Sequence, residues 1–194
     1  MDVSVIFLIL VLFGMALKIY LDSDFFQLKC IVSTVDGKKY CIRDRMRLQE
    51  AADRLAECTG NMEKLVRYCG ETHSQDPRVR RLVKGFNPKR IQETLPTSTL
   101  TAYSENKGEK IAFCLERYKN GGGGLIDLNT LTFVAIHELA HVSTAGVGHT
   151  PEFWSNFKFL LGEAKSCGVY RPVNYKDEPQ QYCGMEISDS PYFE

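Results

Sequence analysis

Residues 136–141 read Ile-His-Glu-Leu-Ala-His, which sets His137, Glu138 and His141 in an H-E-x-x-H arrangement. On a helix, residues four apart share a face, with Cβ atoms about 6 Å apart. Two imidazoles so placed can hold one cation, while the glutamate reaches a water on that cation rather than the cation itself. Zinc at a catalytic site takes three protein ligands and keeps a fourth position for water. His149 supplies the third ligand, with seven residues between it and His141. Zinc lowers the pKa of its water from about 15.7 toward about 7 and polarises a carbonyl. A neighbouring carboxylate then serves as general base. The chemistry this spacing points to is hydrolysis of a peptide bond, with Glu138 as the base. The plainer alternative is that these are ordinary helix residues, and the surrounding elements decide between the two.

Those elements are legible. Asp127 is a plausible N-cap, and Leu131, Phe133, Val134 and Ile136 make the following helix apolar enough to bury. Two histidines and a carboxylate on a buried helix are costly unless something satisfies them, and a metal does. Gly146 and Gly148 release the chain, and Thr150-Pro151 reads as N-cap and first residue of another helix. Its apolar positions Phe153, Phe157, Leu160, Leu161 and Ala164 recur at helical spacing, so His149 stands where a packed helix begins. His73, the remaining histidine, lies in a polar stretch and is expected to be exposed.

Further out, Phe26–Thr34 alternates, Asp36-Gly37 offers a turn, and 38–43 returns as the second strand of a hairpin. Leu48, Ala52, Leu55, Met62, Val66 and Cys69 mark one face of a long helix that ends near Gly70, with Gly60 as a candidate kink. Asp76-Pro77 opens a short helix stopped at Gly85, whose run of Arg and Lys reads as a solvated face. Thr99–Tyr103 and Lys110–Glu116 flank Asn106-Lys107-Gly108 as a second hairpin, and the strand 110–116 is the expected edge for an extended peptide. Gly121–Gly124 makes a flexible loop ahead of the motif. Tyr103, Tyr170, Tyr175 and Tyr182 are the candidate oxyanion donors, and Cys183-Gly184-Met185 a candidate turn carrying a thioether beneath the imidazoles.

The chain has 24 Lys+Arg and 24 Asp+Glu, so nothing global steers it to nucleic acid, and no specific nucleic-acid partner is expected. The N-terminus departs from this average composition. Residues 3–21 are apolar apart from Ser4 and Lys18, long enough to cross a bilayer as a single span with Lys18 at the interface. A cleaved signal peptide is the second reading, since a basic leader and a small-residue cleavage site are lacking. A buried core helix is the third. Lys18 at the far end of the span and Lys29, Lys38 and Lys39 after it, against only Asp2 and the amino terminus before it, put the body on the cytosolic side. The seven cysteines contain no C-x-x-C pair and their number is odd, which favours reduced thiols in a cytosol-facing domain. A disulfide framework becomes the better reading if the topology is reversed.

Three segments, GEKIAF, FVAIHELAHV and GHTPEFWSNFKFLL, resemble the core of WLM and SprT-like zinc peptidases. There a strand precedes the H-E-x-x-H helix, and a Phe-containing helix follows the third histidine. The likeness covers about Thr99 to Tyr170, under half the chain. With the apolar N-terminus and the stretch TAYSENKGEKIAFCL, the whole is most similar to uncharacterised WLM-type proteins of large DNA viruses. The resemblance implies an α+β, zincin-like minimal metallopeptidase domain: a small twisted sheet carrying the H-E-x-x-H helix. It implies His137, His141 and His149 as zinc ligands, Glu138 as the catalytic glutamate, and a protein or peptide substrate. The expected organisation is a transmembrane anchor over 1–21, a metallopeptidase domain over 22–170 with its core at 99–170, and an irregular tail over 171–194 packed on that domain. The viral resemblance adds virion or capsid proteins as partners and the virion membrane as a location. It also sustains an alternative, a structural membrane or minor virion protein that retains the fold without cleaving anything. The spacing from His141 to His149 is longer than in the metzincin pattern H-E-x-x-H-x-x-G-x-x-H, so that label does not apply. No ubiquitin-binding or SUMO-interacting element is evident, and crosslink repair is disfavoured by the zero net charge and the span.

Overall fold

The computed structural model describes residues 2–21, 27–119 and 122–194. Phe26 of the first expected strand and Gly121 of the glycine run lie outside the described residues. Among the described residues the fold is mixed α and β, with small sheets, four helices in the body and one apolar N-terminal helix, α1 (Val3–Leu21). At 1.5 Å per residue α1 is about 28 Å long, close to the thickness of a bilayer's hydrocarbon core. None of Val3–Tyr20 is buried, so this helix contributes nothing to the core of the body. A signal sequence meets the same description by length and composition.

The first expected hairpin forms, as β1 (Leu28–Val32) antiparallel to β2 (Lys39–Arg43). The long helix α2 (Leu48–Thr72) runs unbroken through Gly60, because nothing within 4 Å of that position presses on the helix. Its buried face includes Ala52, Leu55, Met62, Val66 and Cys69, as the periodicity requires. Asp76 caps α3 (Pro77–Gly85), its carboxylate accepting from the Arg78 amide at 2.9 Å. His73 is not free in solvent: its Nε2 lies 3.2 Å from Glu163 and its ring meets Phe159 edge-on.

The central sheet has the order β3-β5-β4. The strands are β3 (Ile91–Glu93), β4 (Ala102–Glu105) and β5 (Lys110–Phe113), with β3 parallel and β4 antiparallel to β5. This corrects the expectation that 110–116 is an edge. β3, three residues long and absent from the sequence pattern, occupies one side of β5, and the edge next to the motif helix is β4. What holds β3 is charge rather than periodicity. Glu93 is fully buried; one carboxylate oxygen accepts from the Arg43 amide at 2.7 Å and the other from the Arg45 guanidinium. Arg45 also reaches Glu116 at 2.8 Å, while Arg43 donates to Thr94 O and Leu95 O. The network is satisfied on every side, which a buried carboxylate requires, and it clamps the β1–β2 hairpin to the sheet.

Helices α4 (Leu128–Ser143) and α5 (Pro151–Ser166) pack against each other and against α2 and α3 to close the core. The tail, expected to be irregular, instead forms a further short hairpin, β6 (Gln180–Tyr182) with β7 (Met185–Ile187), followed by a 3-10 turn at Pro191–Phe193. The cysteines also differ from expectation. Cys30 is bridged to Cys41 across β1–β2, and Cys114 at the end of β5 is bridged to Cys183 in the β6–β7 turn. Spacing in sequence hides both pairs, since one needs the hairpin register and the other joins segments 69 residues apart. Cys58, Cys69 and Cys167 remain thiols, and burial pushes Cys58 and Cys69 up to about 12.

Candidate metal centre

The motif helix starts where the sequence places it. Asp127 Oδ1 accepts from the Thr130 amide at 2.9 Å, satisfying one of the donors that every helix start leaves open. Asp127→Ala is expected to destabilise the fold by about 1 kcal/mol, read as a lower denaturant midpoint at unchanged slope. An unchanged midpoint would mean that packing alone sets this helix start. Thr150 caps α5 in the same manner, its hydroxyl accepting from the Phe153 amide at 3.3 Å, with Pro151 as first helical residue.

His137 and His141 project from α4, and the turn through Gly148 (φ 82°) delivers His149 beside them. The ligand atoms of the three imidazoles all lie within 4.8 Å of one another, and His149 Nε2 is 3.1 Å from His137 Nε2. Nitrogens about 2.0–2.1 Å from one tetrahedral zinc stand about 3.3 Å apart; the His137–His149 pair has that spacing, and the three rings together could hold a metal ion. Burial, then the neighbouring His141 and His149, pulls His137 down to about 3. Burial first, then His149 and Lys107, takes His141 to about 4. Both rings are therefore neutral at neutral pH, with a lone pair to give, the form that binds metal.

Beneath the three rings lies Phe153, with centroids 4.9 Å from His137, 4.3 Å from His141 and 4.7 Å from His149. This is the place assigned from sequence to Met185. Met185 is instead 48% exposed on β7, its sulfur 3.5 Å from the Thr101 hydroxyl. The turn at Cys183-Gly184 is spent on the disulfide and on backbone bonds to Glu116 and Arg117. Phe153 was visible only as one apolar position of a helix. Its location one turn after His149 was the available signal.

Glu138 is 4% exposed, and burial alone pushes its carboxyl up to about 8. Among the described residues nothing hydrogen-bonds to it. It faces a cleft of about 660 Å³ together with His137 and His149. The cleft floor is apolar (Phe133, Val134, Phe157), one side is the start of β4 at Thr101 and Ala102, and the opposite side is the tail from Met185 to Pro191. The tail's part in this cleft had no signature in the sequence.

None of the four candidate phenols stands ready as a donor. Tyr182 lines the cleft, but its hydroxyl donates to Thr101 O at 3.0 Å and lies 3.2 Å from the Cys114 amide. Tyr175 is wholly buried against Phe133, and Tyr170 packs on the same ring. Tyr103 sits on β4 with Lys110 over its face at 5.8 Å.

The chain is similar to viral proteins. An uncharacterised protein of Acanthamoeba polyphaga mimivirus is 28% identical over 163 residues, 82% of each chain. An uncharacterised protein of Invertebrate iridescent virus 6 is 41% identical over 82 residues, 42% of this chain and 44% of that one. In Invertebrate iridescent virus 3 another is 42% identical over 59 residues, 30% of this chain and 36% of its own. No protein-family model and no solved structure matches the chain. The relatives are thus viral proteins with no described activity, and the chemistry has to be read from the three imidazoles and the carboxyl beside them.

Proposed function

We propose that this protein is a membrane-anchored zinc metalloendopeptidase with a zincin-like domain. The observation that carries the reading is Glu138, a buried carboxyl without a hydrogen-bond partner among the described residues, facing a cleft beside three convergent imidazoles. A structural metal site has no use for such a group beside its ligands. When bound at His137, His141 and His149, zinc supplies a Lewis acid for the scissile carbonyl and acidifies the attacking water. A cation held there would favour the ionised form of the Glu138 carboxyl, which would then take a proton from the attacking water and hand it to the leaving amine. Phe153 holds the imidazole planes. An extended peptide lies along the edge at β4, with a bulky apolar side chain on the floor formed by Phe133 and Phe157. Of the acidic groups on the tail wall, Asp189 and Glu194 are paired with Lys176 at 3.3 and 3.5 Å, which leaves Glu186 to favour neutral or basic neighbours of that side chain.

The competing reading, a structural membrane or virion protein, draws on the viral relatives. It leaves Glu138 unexplained. Profiling the full-length protein in detergent against a peptide library, with Glu138→Gln as control, decides between them. Cleavage by the wild type with an apolar preference is expected. Equal signal from both proteins, or none from the wild type at full zinc occupancy, would leave the structural reading standing.

The anchor is α1, and the expected outcome is resistance of the full-length protein to carbonate extraction, with release once residues 2–21 are deleted. On orientation, the lysines after the span favour the cytosol, whereas the two disulfides favour an oxidising compartment. We give the bridges more weight, because Asp22 and Asp24 dilute the charge bias. A glycosylation acceptor placed in the tail should therefore be modified; an unmodified one would return the body to the cytosolic side.

A further inference from the structure

The loop that carries the third ligand is short of internal support. Gly146 and Gly148 bracket Val147, which is 89% exposed, and a side chain at Gly148 would meet nothing within 4 Å. A donor held on such a loop wanders unless its stem is fixed, and a metal site tolerates little wandering. The stem is fixed from outside. The Lys107 ammonium donates to Thr144 O at 2.8 Å and to Gly146 O, and lies 3.4 Å from His141 O. Its donors are thus directed at carbonyls on both sides of the point where the chain leaves α4. A cation there also meets the negative end of the helix dipole.

Lys107 is itself rigidly placed. It occupies the β4–β5 turn at φ 57°, and the next residue, Gly108, abuts the end of α3. A Cβ on Gly85 would fall 2.4 Å from Lys107 O, and a Cβ on Gly108 would fall 2.7 Å from Gly85 O. Both positions therefore exclude any side chain, and the turn is seated against α3 by that contact. Arg81 of α3 completes the arrangement, donating to Ser143 O at 2.6 Å and pairing with Glu152, whose carboxylate accepts from the Ala145 amide at 3.3 Å. Beyond Gly146, among the described residues, no further side chain holds the loop before His149.

We propose that Lys107 is the positioning residue of the third metal ligand. It sets where His149 stands relative to the His137–His141 pair without touching the metal. The proposal rests on the zinc reading of the site, and the measurement separates the two. Lys107→Met keeps the aliphatic stem and removes the ammonium. Zinc affinity of the full-length protein, from competition with a chromophoric chelator, should fall about 10–100-fold, the range seen when groups supporting metal ligands are lost. The melting temperature of the metal-free protein should change little, while the rise on adding zinc should shrink. An ordinary helix-capping role would lower the metal-free and zinc-loaded melting temperatures by the same amount, and that result overturns the proposal. So does unchanged zinc affinity in Lys107→Met. Failure of the wild type itself to take up zinc would instead strike the metal reading.

Discussion

Replacing Glu138 by Gln is expected to lower turnover by about 10²–10⁴-fold, the usual contribution of a positioned general base, while zinc content stays at one per chain. The amide matches the carboxyl in shape but cannot accept the proton of the attacking water. Because no described group hydrogen-bonds to Glu138, the substitution strands no partner, and the fold should be undisturbed. His137→Ala makes the complementary test, since it removes a ring that packs against Phe153 and both other histidines. Zinc is then lost along with activity. The pair of outcomes matters more than either alone: metal kept with turnover lost places Glu138 in the chemistry. Zinc lost from Glu138→Gln would mean that the carboxyl is a ligand, and the role assigned to it would fall.

Removing the Cys114–Cys183 bridge, by Cys114→Ala with Cys183→Ala, is expected to destabilise the protein by about 4 kcal/mol, the chain-entropy value for a closed loop of some seventy residues. The bridge joins the end of β5 to the β6–β7 turn, and its Cα–Cα separation of 5.9 Å is within the ordinary range for a disulfide. Both cysteines are buried, so alanine leaves small voids and no unpaired polar group. The shorter Cys30–Cys41 loop should be worth about 3 kcal/mol on the same scale. Denaturant midpoints of the two double variants provide the measurement, and non-reducing peptide mapping of the wild type should recover both bridges. Equal stability of wild type and the Cys114/Cys183 variant would show that the tail is held by packing of Tyr175 and Tyr182 alone.

Local patterns told a great deal about this chain and long-range pairing very little. Asp127, Thr150-Pro151 and Asp76-Pro77 announce helix starts because capping is decided within three residues, and each one caps as read. His137, Glu138, His141 and His149 come together because they span only thirteen residues, the last two turns of α4 and the turn that follows it. β3 escaped notice because three residues give no period, and its reason for being a strand, the Arg43 and Arg45 contacts to Glu93, lies some fifty residues away. The same blindness turned β5 into an edge, since only the placement of β3 shows it to be central. The cysteines misled for a related reason: parity and spacing describe the chain, whereas bridging depends on which strands meet. Phe153 and Met185 exchanged places because apolar character is readable from sequence and direction is not.

The two banks of the cleft are fastened by unlike means, and they should come apart separately. The bank with the imidazoles lies within a continuous stretch of α4, its turn and α5, whereas the opposite bank, Met185 to Pro191, belongs to a hairpin secured by Cys183. Amide hydrogen exchange would register this as two independent opening events. Chelation would quicken exchange around 144–153 and leave 180–193 slow; a reductant would do the reverse. Sub-global opening of one bank without the other gives the protein partly open forms well below its global unfolding energy, and a protease sampling those forms would cut first at Gly146–Gly148, where Val147 already stands in solvent.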